Sequence, residues 1–165
     1  MEAEEIRRIR ERYGIEGRYF LSVGTQEPRK NIKRVIEAFR AFKQQSGDDQ
    51  LVIVGRIGWG EQIAGEEGIK ILGKISPYEL PALYSGANAL VYPSLYEGFG
   101  LPVLEAMTVG CPVVTSGRGS LEEIAGQAAV LVDPEDGESI LRGMETVMEE
   151  RTVFINRGLK RSEKF

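Results

Sequence analysis

The feature that most constrains this chain is an alternation. Short runs of consecutive apolar residues, rich in valine and isoleucine, recur at Tyr19 to Val23, Leu51 to Val54, Ile69 to Leu72, Asn88 to Tyr92, Pro112 to Thr115 and Ala128 to Val132. A strand with one face in water alternates apolar and polar side chains, whereas a run apolar at successive positions needs cover on both faces. The cover is written between the runs. From Asn31 to Gln44, residues Ile32, Val35, Ile36, Phe39 and Phe42 trace one face of a helix. Ser76 to Ser85 and Leu101 to Val109 read as shorter helices, and Asp136 can cap a long last one striped with Ile140, Leu141, Met144 and Val147. Strand and helix alternating in this way predict an α/β fold with a doubly wound, mainly parallel six-stranded, Rossmann-like sheet. At 165 residues, with no internal repeat and no low-complexity linker, residues 1–165 are expected to form a single domain.

Composition removes several kinds of function. A net charge of -4 argues against nucleic acid as a partner. The single cysteine, Cys111, excludes an internal disulfide and points to a reducing compartment. The chain has no histidine, and so lacks the usual base at neutral pH and the commonest transition-metal ligand. Met1 to Arg12 reads as a charged helix, not a signal peptide, and no apolar run is long enough for an integral membrane segment. A cytoplasmic location is expected, with peripheral contact with a membrane left open.

In an open parallel sheet, ligands bind beyond the carboxyl ends of the strands. The first such loop, Gly24-Thr25-Gln26-Glu27-Pro28-Arg29-Lys30-Asn31, is neither G-x-G-x-x-G nor a P-loop. Its cations are oddly placed: Arg29, Lys30, Lys33 and Arg34 crowd a helix start, where the macrodipole disfavours positive charge by about 0.3–1 kcal/mol each. Lys33 and Arg34 suit a solvated face. Arg29 and Lys30 fit either that reading or a bound anion such as a diphosphate. The second loop, Gly55 to Gly60, offers three glycines, Arg56 and Trp59, which serve a turn as readily as a ligand. The fourth runs Pro93-Ser94-Leu95-Tyr96-Glu97-Gly98-Phe99-Gly100-Leu101-Pro102-Val103-Leu104-Glu105. Pro102 suits a first helical position, so the free N–H groups around Gly98, Phe99, Gly100 and Leu101 are expected to face sugar hydroxyls or phosphate oxygens. Glu97 and Glu105 admit two readings each: a solvated loop acid or a ligand contact, and dipole complementation or a ligand contact.

The stretch from Tyr92 to Met107 resembles the E-x7-E signature of the family 4 (group 1) retaining glycosyltransferases. The resemblance continues through Gly110-Cys111-Pro112-Val113-Val114-Thr115-Ser116, Ala125 to Ala129 and Val132-Asp133-Pro134, and upstream through Ser22-Val23-Gly24, Pro28-Arg29-Lys30-Asn31 and Leu80 to Ala87. It covers nearly all of Tyr19 to Asp136 in the right order. It implies the C-terminal, donor-binding half of a two-domain GT-B enzyme, with an N-terminal acceptor domain elsewhere. It further implies that Glu97 contacts the donor sugar, that Glu105 holds the ribose hydroxyls, and that Lys30, aided by Arg29, contacts the diphosphate. Gly24, Thr25 and the amides at Phe99, Gly100 and Leu101 line the sugar and phosphates, and Gly73, Lys74 and Ile75 line the nucleobase. On this reading Glu97 and Lys30 carry the chemistry, no cofactor or metal is needed, and the partners are a nucleotide-sugar donor and a glycan or lipid-linked acceptor.

Two departures stand out. Thr25 occupies a position where many members carry arginine, and Arg56 is the candidate to replace that charge. The chain also stops at Phe165, where members continue into a helix that crosses back, so the isolated piece is expected to bind donor and transfer nothing. The Glu-Pro-Arg-Lys-Asn loop leans toward mannosyltransferases of polysaccharide biosynthesis and GDP-mannose. A non-catalytic nucleotide-sensing module and a sugar-nucleotide epimerase are the alternatives. A glycoside hydrolase would need facing carboxylates with one kept protonated, of which there is no sign. A phosphate-accepting receiver domain would need an acidic pair after the first strand, and none is there.

Overall fold

The computed structural model describes residues 1–60 and 62–165. Its elements run α1 (Ala3–Arg12), β1 (Tyr19–Val23), α2 (Ile32–Ser46), β2 (Gln50–Val54), β3 (Ile69–Gly73), α3 (Leu80–Gly86), β4 (Leu90–Tyr92), α4 (Leu101–Thr108), β5 (Val113–Ser116), α5 (Gly119–Ala125), β6 (Val130–Val132), α6 (Gly137–Glu149) and α7 (Arg151–Ser162). The six strands form one parallel sheet in the order β3-β2-β1-β4-β5-β6. All six expected strands are present, and the order reverses between β1 and β4, opening a crevice at their carboxyl ends.

The runs of successive apolar residues are explained by two cores, one on each face of the sheet. Phe20, Leu51, Ile53, Val91 and Val114 point toward α2 and α6. Their neighbours Tyr19, Leu21, Val52, Leu90 and Val113 point toward α3, α4 and α5. Asp136 does cap α6, accepting a hydrogen bond from the Glu138 N–H at 3.0 Å. Cys111 is buried and free, and burial pushes its thiol up to about 12.

The helix expected from Ser76 begins only at Leu80. A start at Ser76 would put Pro81 in a helix interior, where its missing N–H breaks a hydrogen bond. A start at Leu80 puts it in the first turn, where that N–H has no partner in any case.

The amino end of the sheet carries a polar clasp centred on buried Asp49 and Asn88. Asp49 accepts from Asn88 Nδ2 at 2.9 Å and from Arg18 at 3.1 Å. Arg151, at the start of α7, donates to the Ala87 and Asn88 carbonyls. Among the described residues, no helix is long and apolar enough to cross a membrane.

Candidate functional site

The carboxyl edge is built from the loops after β3, β2, β1 and β4, lying side by side in that order. Backbone hydrogen bonds join them: Gly24 N–H donates to the Val54 carbonyl and Gly55 N–H to the Gly73 carbonyl, each at 2.8 Å. Gly55 has φ +152, and a Cβ there would stand 1.8 Å from the Gly24 carbonyl oxygen, so only glycine lets these loops close on each other. The Gln26 N–H donates to the Arg56 carbonyl at 2.9 Å, extending the pairing beyond the strands.

Arg29 and Lys30 do not stand in the first turn of α2. They lie in a 3-10 turn, Pro28–Lys30, and Asn31 in the left-handed conformation (φ 62) separates that turn from the helix. Asn31 is buried, and its Nδ2 donates to the Pro93 carbonyl at 2.9 Å and the Pro134 carbonyl at 2.6 Å. One amide thus braces the loops after β4 and β6 against the loop after β1. The Leu95 N–H adds a bond to the Arg29 carbonyl at 2.8 Å.

This bracing brings Lys30 to Glu97. The Lys30 side chain is only 9% exposed, as is that of Glu97, and Nζ donates to Glu97 Oε1 at 2.5 Å and to the Tyr92 hydroxyl at 2.6 Å. The Tyr92 hydroxyl donates in turn to Glu97 Oε1 at 2.8 Å, and Arg29 approaches the same oxygen at 3.2 Å. The anion that relieves the loop's crowded positive charge here is the carboxylate of Glu97. Ser120 of α5 holds the backbone of Glu97 by donating to its carbonyl at 2.7 Å. An ammonium has three donors, and two of those of Lys30 are used.

Burial by itself would raise the pKa of Glu97, but the hydrogen bonds from Lys30 and Tyr92 and the charge of Lys30 outweigh it and hold the carboxyl below the usual range. The unfolded chain therefore takes up this proton at a higher pH than the folded one. The stabilisation is complete above the ordinary glutamate value of about 4.3 and is lost as pH falls through the lower folded value. Urea unfolding between pH 7 and pH 3 should show stability falling more steeply in the parent than in Glu97→Gln, and parallel profiles would refute the pairing.

Glu105 lies on α4, exposed, and accepts from the Tyr84 hydroxyl at 3.0 Å. Tyr84 is buried, and burial followed by the nearby charge of Glu105 keeps its hydroxyl protonated. α4 begins as expected at Leu101, after Gly100 with φ +88. The N–H groups of Gly98, Phe99 and Gly100 have no partner among the described residues, and Phe99 and Leu101 are exposed.

Gly73 turns the chain out of β3 with φ +65; Lys74 is exposed, and Ile75 packs against the core on the α3 and α4 side. Arg56 is exposed, and the Lys30–Glu97 cluster includes neither its side chain nor that of Thr25. Tyr84, Tyr92, Asn31 and Ser120 hold the candidate site, and motif and spacing assign none of them a role. The tyrosines had a legible signal: each is a polar-tipped residue inside an otherwise apolar segment.

The chain matches the family model described as glycosyl transferases group 1 over residues 5–162. It is 37% identical over 159 residues to O-antigen chain mannosyltransferase B of Escherichia coli, covering 89% of this chain and 42% of that protein. It is 34% identical over 128 residues to O-antigen chain mannosyltransferase RfbU of Salmonella typhimurium, covering 73% and 36%. Among solved structures, sucrose-phosphate synthase from Thermosynechococcus elongatus superimposes with a TM-score of 0.78 at 25% identity, over 94% of this chain and 43% of that one. WaaG, a glycosyltransferase involved in lipopolysaccharide biosynthesis, does so with a TM-score of 0.80 at 18% identity, over 100% and 48%, a likeness of fold. The chain thus spans less than half the length of each of these relatives.

Proposed function

Because the chain belongs to the group 1 glycosyl transferases, we propose that it is the donor half of an enzyme that binds a nucleotide diphosphate sugar, GDP-mannose in preference to others, and transfers the sugar with retention to a glycan or lipid-linked acceptor. The observation that carries this reading is Lys30. It is a buried cation, oriented by Tyr92 and Glu97, with one donor unused among the described residues, in the crevice that also holds the amides of Gly98, Phe99 and Gly100, likewise without a partner among them.

Transfer breaks the bond between the anomeric carbon and a diphosphate oxygen, and negative charge grows on that oxygen. In this reading Lys30, Arg29 and the loop amides meet that charge without a cofactor or metal. Glu97 takes the donor sugar, and the Tyr84-supported carboxylate of Glu105 takes the ribose hydroxyls. Gly24 and Thr25 border the phosphates, Gly73, Lys74 and Ile75 border the base, and Arg56 substitutes for the cation missing at Thr25. The mannose preference rests on the mannosyltransferase relatives. The rest of the enzyme supplies the acceptor domain, so this chain alone binds donor and transfers nothing. The enzyme works in the cytoplasm, with peripheral contact with a membrane where its acceptor is lipid-linked.

Calorimetric titration with GDP, UDP and ADP, and then with the matching sugar nucleotides, tests the assignment. GDP should bind best, and Glu105→Ala should weaken it about 10–100-fold, as loss of hydrogen bonds to a charged group predicts. Equal affinity in parent and variant would remove Glu105 from the site.

A further inference from the structure

A second concavity lies on the opposite side of the loop after β1, toward α2. It encloses about 770 Å³ between α2 and the segment that connects β2 to β3. Its floor is apolar, formed by residues such as Ile36, Ile63 and Ile69. Gln26 is part of its wall and is 5% exposed, and both its amide atoms, Oε1 and Nε2, are buried without a hydrogen-bond partner among the described residues. A buried amide with neither its donor nor its acceptor met is rare in folded proteins and calls for a group that meets both. Trp59 borders the same cleft with 68% of its surface exposed, so its indole is open to contact with whatever enters.

The charges select the ligand. The described lining residues include three cations, Lys33, Arg34 and Arg40, and three carboxylates, Glu27, Glu37 and Glu66. Arg40 is held by Glu66 through two bonds of 2.7 Å, Arg34 donates to Asn31 Oδ1 at 3.0 Å, and Lys33 is likewise engaged. Among the described lining residues no cation is left over for a phosphate, and their formal charges cancel. An exposed indole, an unmet amide and the exposed carboxylate of Glu37 above an apolar floor are complementary to a neutral polyhydroxylated ring, whose C–H face stacks on an aromatic and whose hydroxyls both donate and accept. We propose that this cleft binds a neutral saccharide, at a site separate from the Lys30–Glu97 crevice and independent of its assignment.

Trp59 is the only tryptophan in the chain, so its emission reports on the cleft directly. In titrations of the whole chain with α-linked mannotriose and with maltotriose, at least one trisaccharide should shift that emission to saturation, and inorganic phosphate should not. Saturating GDP should leave the midpoint where it was. Gln26→Leu removes the unmet amide at similar volume, so its thermal midpoint should rise while its saccharide affinity falls by about tenfold or more. A role in folding alone would not move those two quantities in opposite directions. Emission that no trisaccharide changes, a response to phosphate, displacement by GDP, or a Gln26→Leu chain that binds as tightly as the parent would each overturn the inference.

Discussion

On the proposed reading, Lys30→Ala in an enzyme that holds this chain as its donor half is expected to lower kcat by about 10²–10³-fold, the usual loss when one preorganised donor to a developing oxyanion is removed. The effect should fall on kcat more than on KM, because charge on the leaving oxygen is greatest in the transition state. Substrate affinity still drops, since the ground-state diphosphate is already charged. The substitution also strands Glu97, a carboxylate with a side chain only 9% exposed that takes its shortest hydrogen bond from Lys30. Leaving one partner of a buried pair is costly, so the unfolding midpoint should be measured alongside the rate. Lys30→Arg keeps the charge but not the compact ammonium that fits between Tyr92 and Glu97, and should recover binding better than turnover. A Lys30→Ala enzyme with the parent's kcat would remove the residue from the chemistry and leave it only a structural cation.

Gly55→Ala should have the largest effect on stability, a loss of about 4 kcal/mol from strained backbone and overpacking together. That is a large share of the roughly 5–15 kcal/mol that holds an ordinary domain folded. Two independent obstacles meet at this position. Its φ of +152 is rarely adopted by an L-residue, and the new methyl would press on the Gly24 carbonyl oxygen and carbon at 1.8 and 2.5 Å. Neither loop can retreat, because Gly24 is bonded to Val54 and Gly55 to Gly73. The thermal midpoint should drop by roughly 10 °C or more for a domain of this size. Gly98→Ala provides the contrast: a Cβ there meets nothing within 4 Å, and its midpoint should stay within the scatter of surface substitutions. Equal midpoints for the two variants would contradict the packing described for the loop after β2.

The sheet was legible because its signal is local: each strand announces itself by successive apolar residues, and two faces of cover follow from that. Two helices were not. α5 is seven residues long and enters through Ser116-Gly117-Arg118-Gly119-Ser120, a sequence that reads as loop, with Leu121 and Ile124 as its main apolar marks. α7 follows α6 after a single residue and buries little besides Phe154 and Gly158, so its periodicity is faint. The candidate site divides in the same way. Lys30, Glu97 and Glu105 are placed by motif. The residues that hold them are reached only through distant pairings: Lys30 with Tyr92, Tyr84 with Glu105, and Asn31 with a carbonyl 103 positions away. Spacing along the chain carries no information about such contacts. Gln26 is silent in the sequence for a related reason, since a glutamine between a strand and a turn looks ordinary until its burial is known.

The Arg18–Asp49–Asn88 clasp sits at the amino end of the sheet, opposite the Lys30–Glu97 crevice. The molecule therefore separates two inheritances. One rim holds the architecture shut by a polar lock centred on buried Asp49, while the other carries the loops that form the Lys30–Glu97 crevice. A chain built on this plan can have the loops at one pole rewritten while the contacts that hold the sheet together at the other stay as they are.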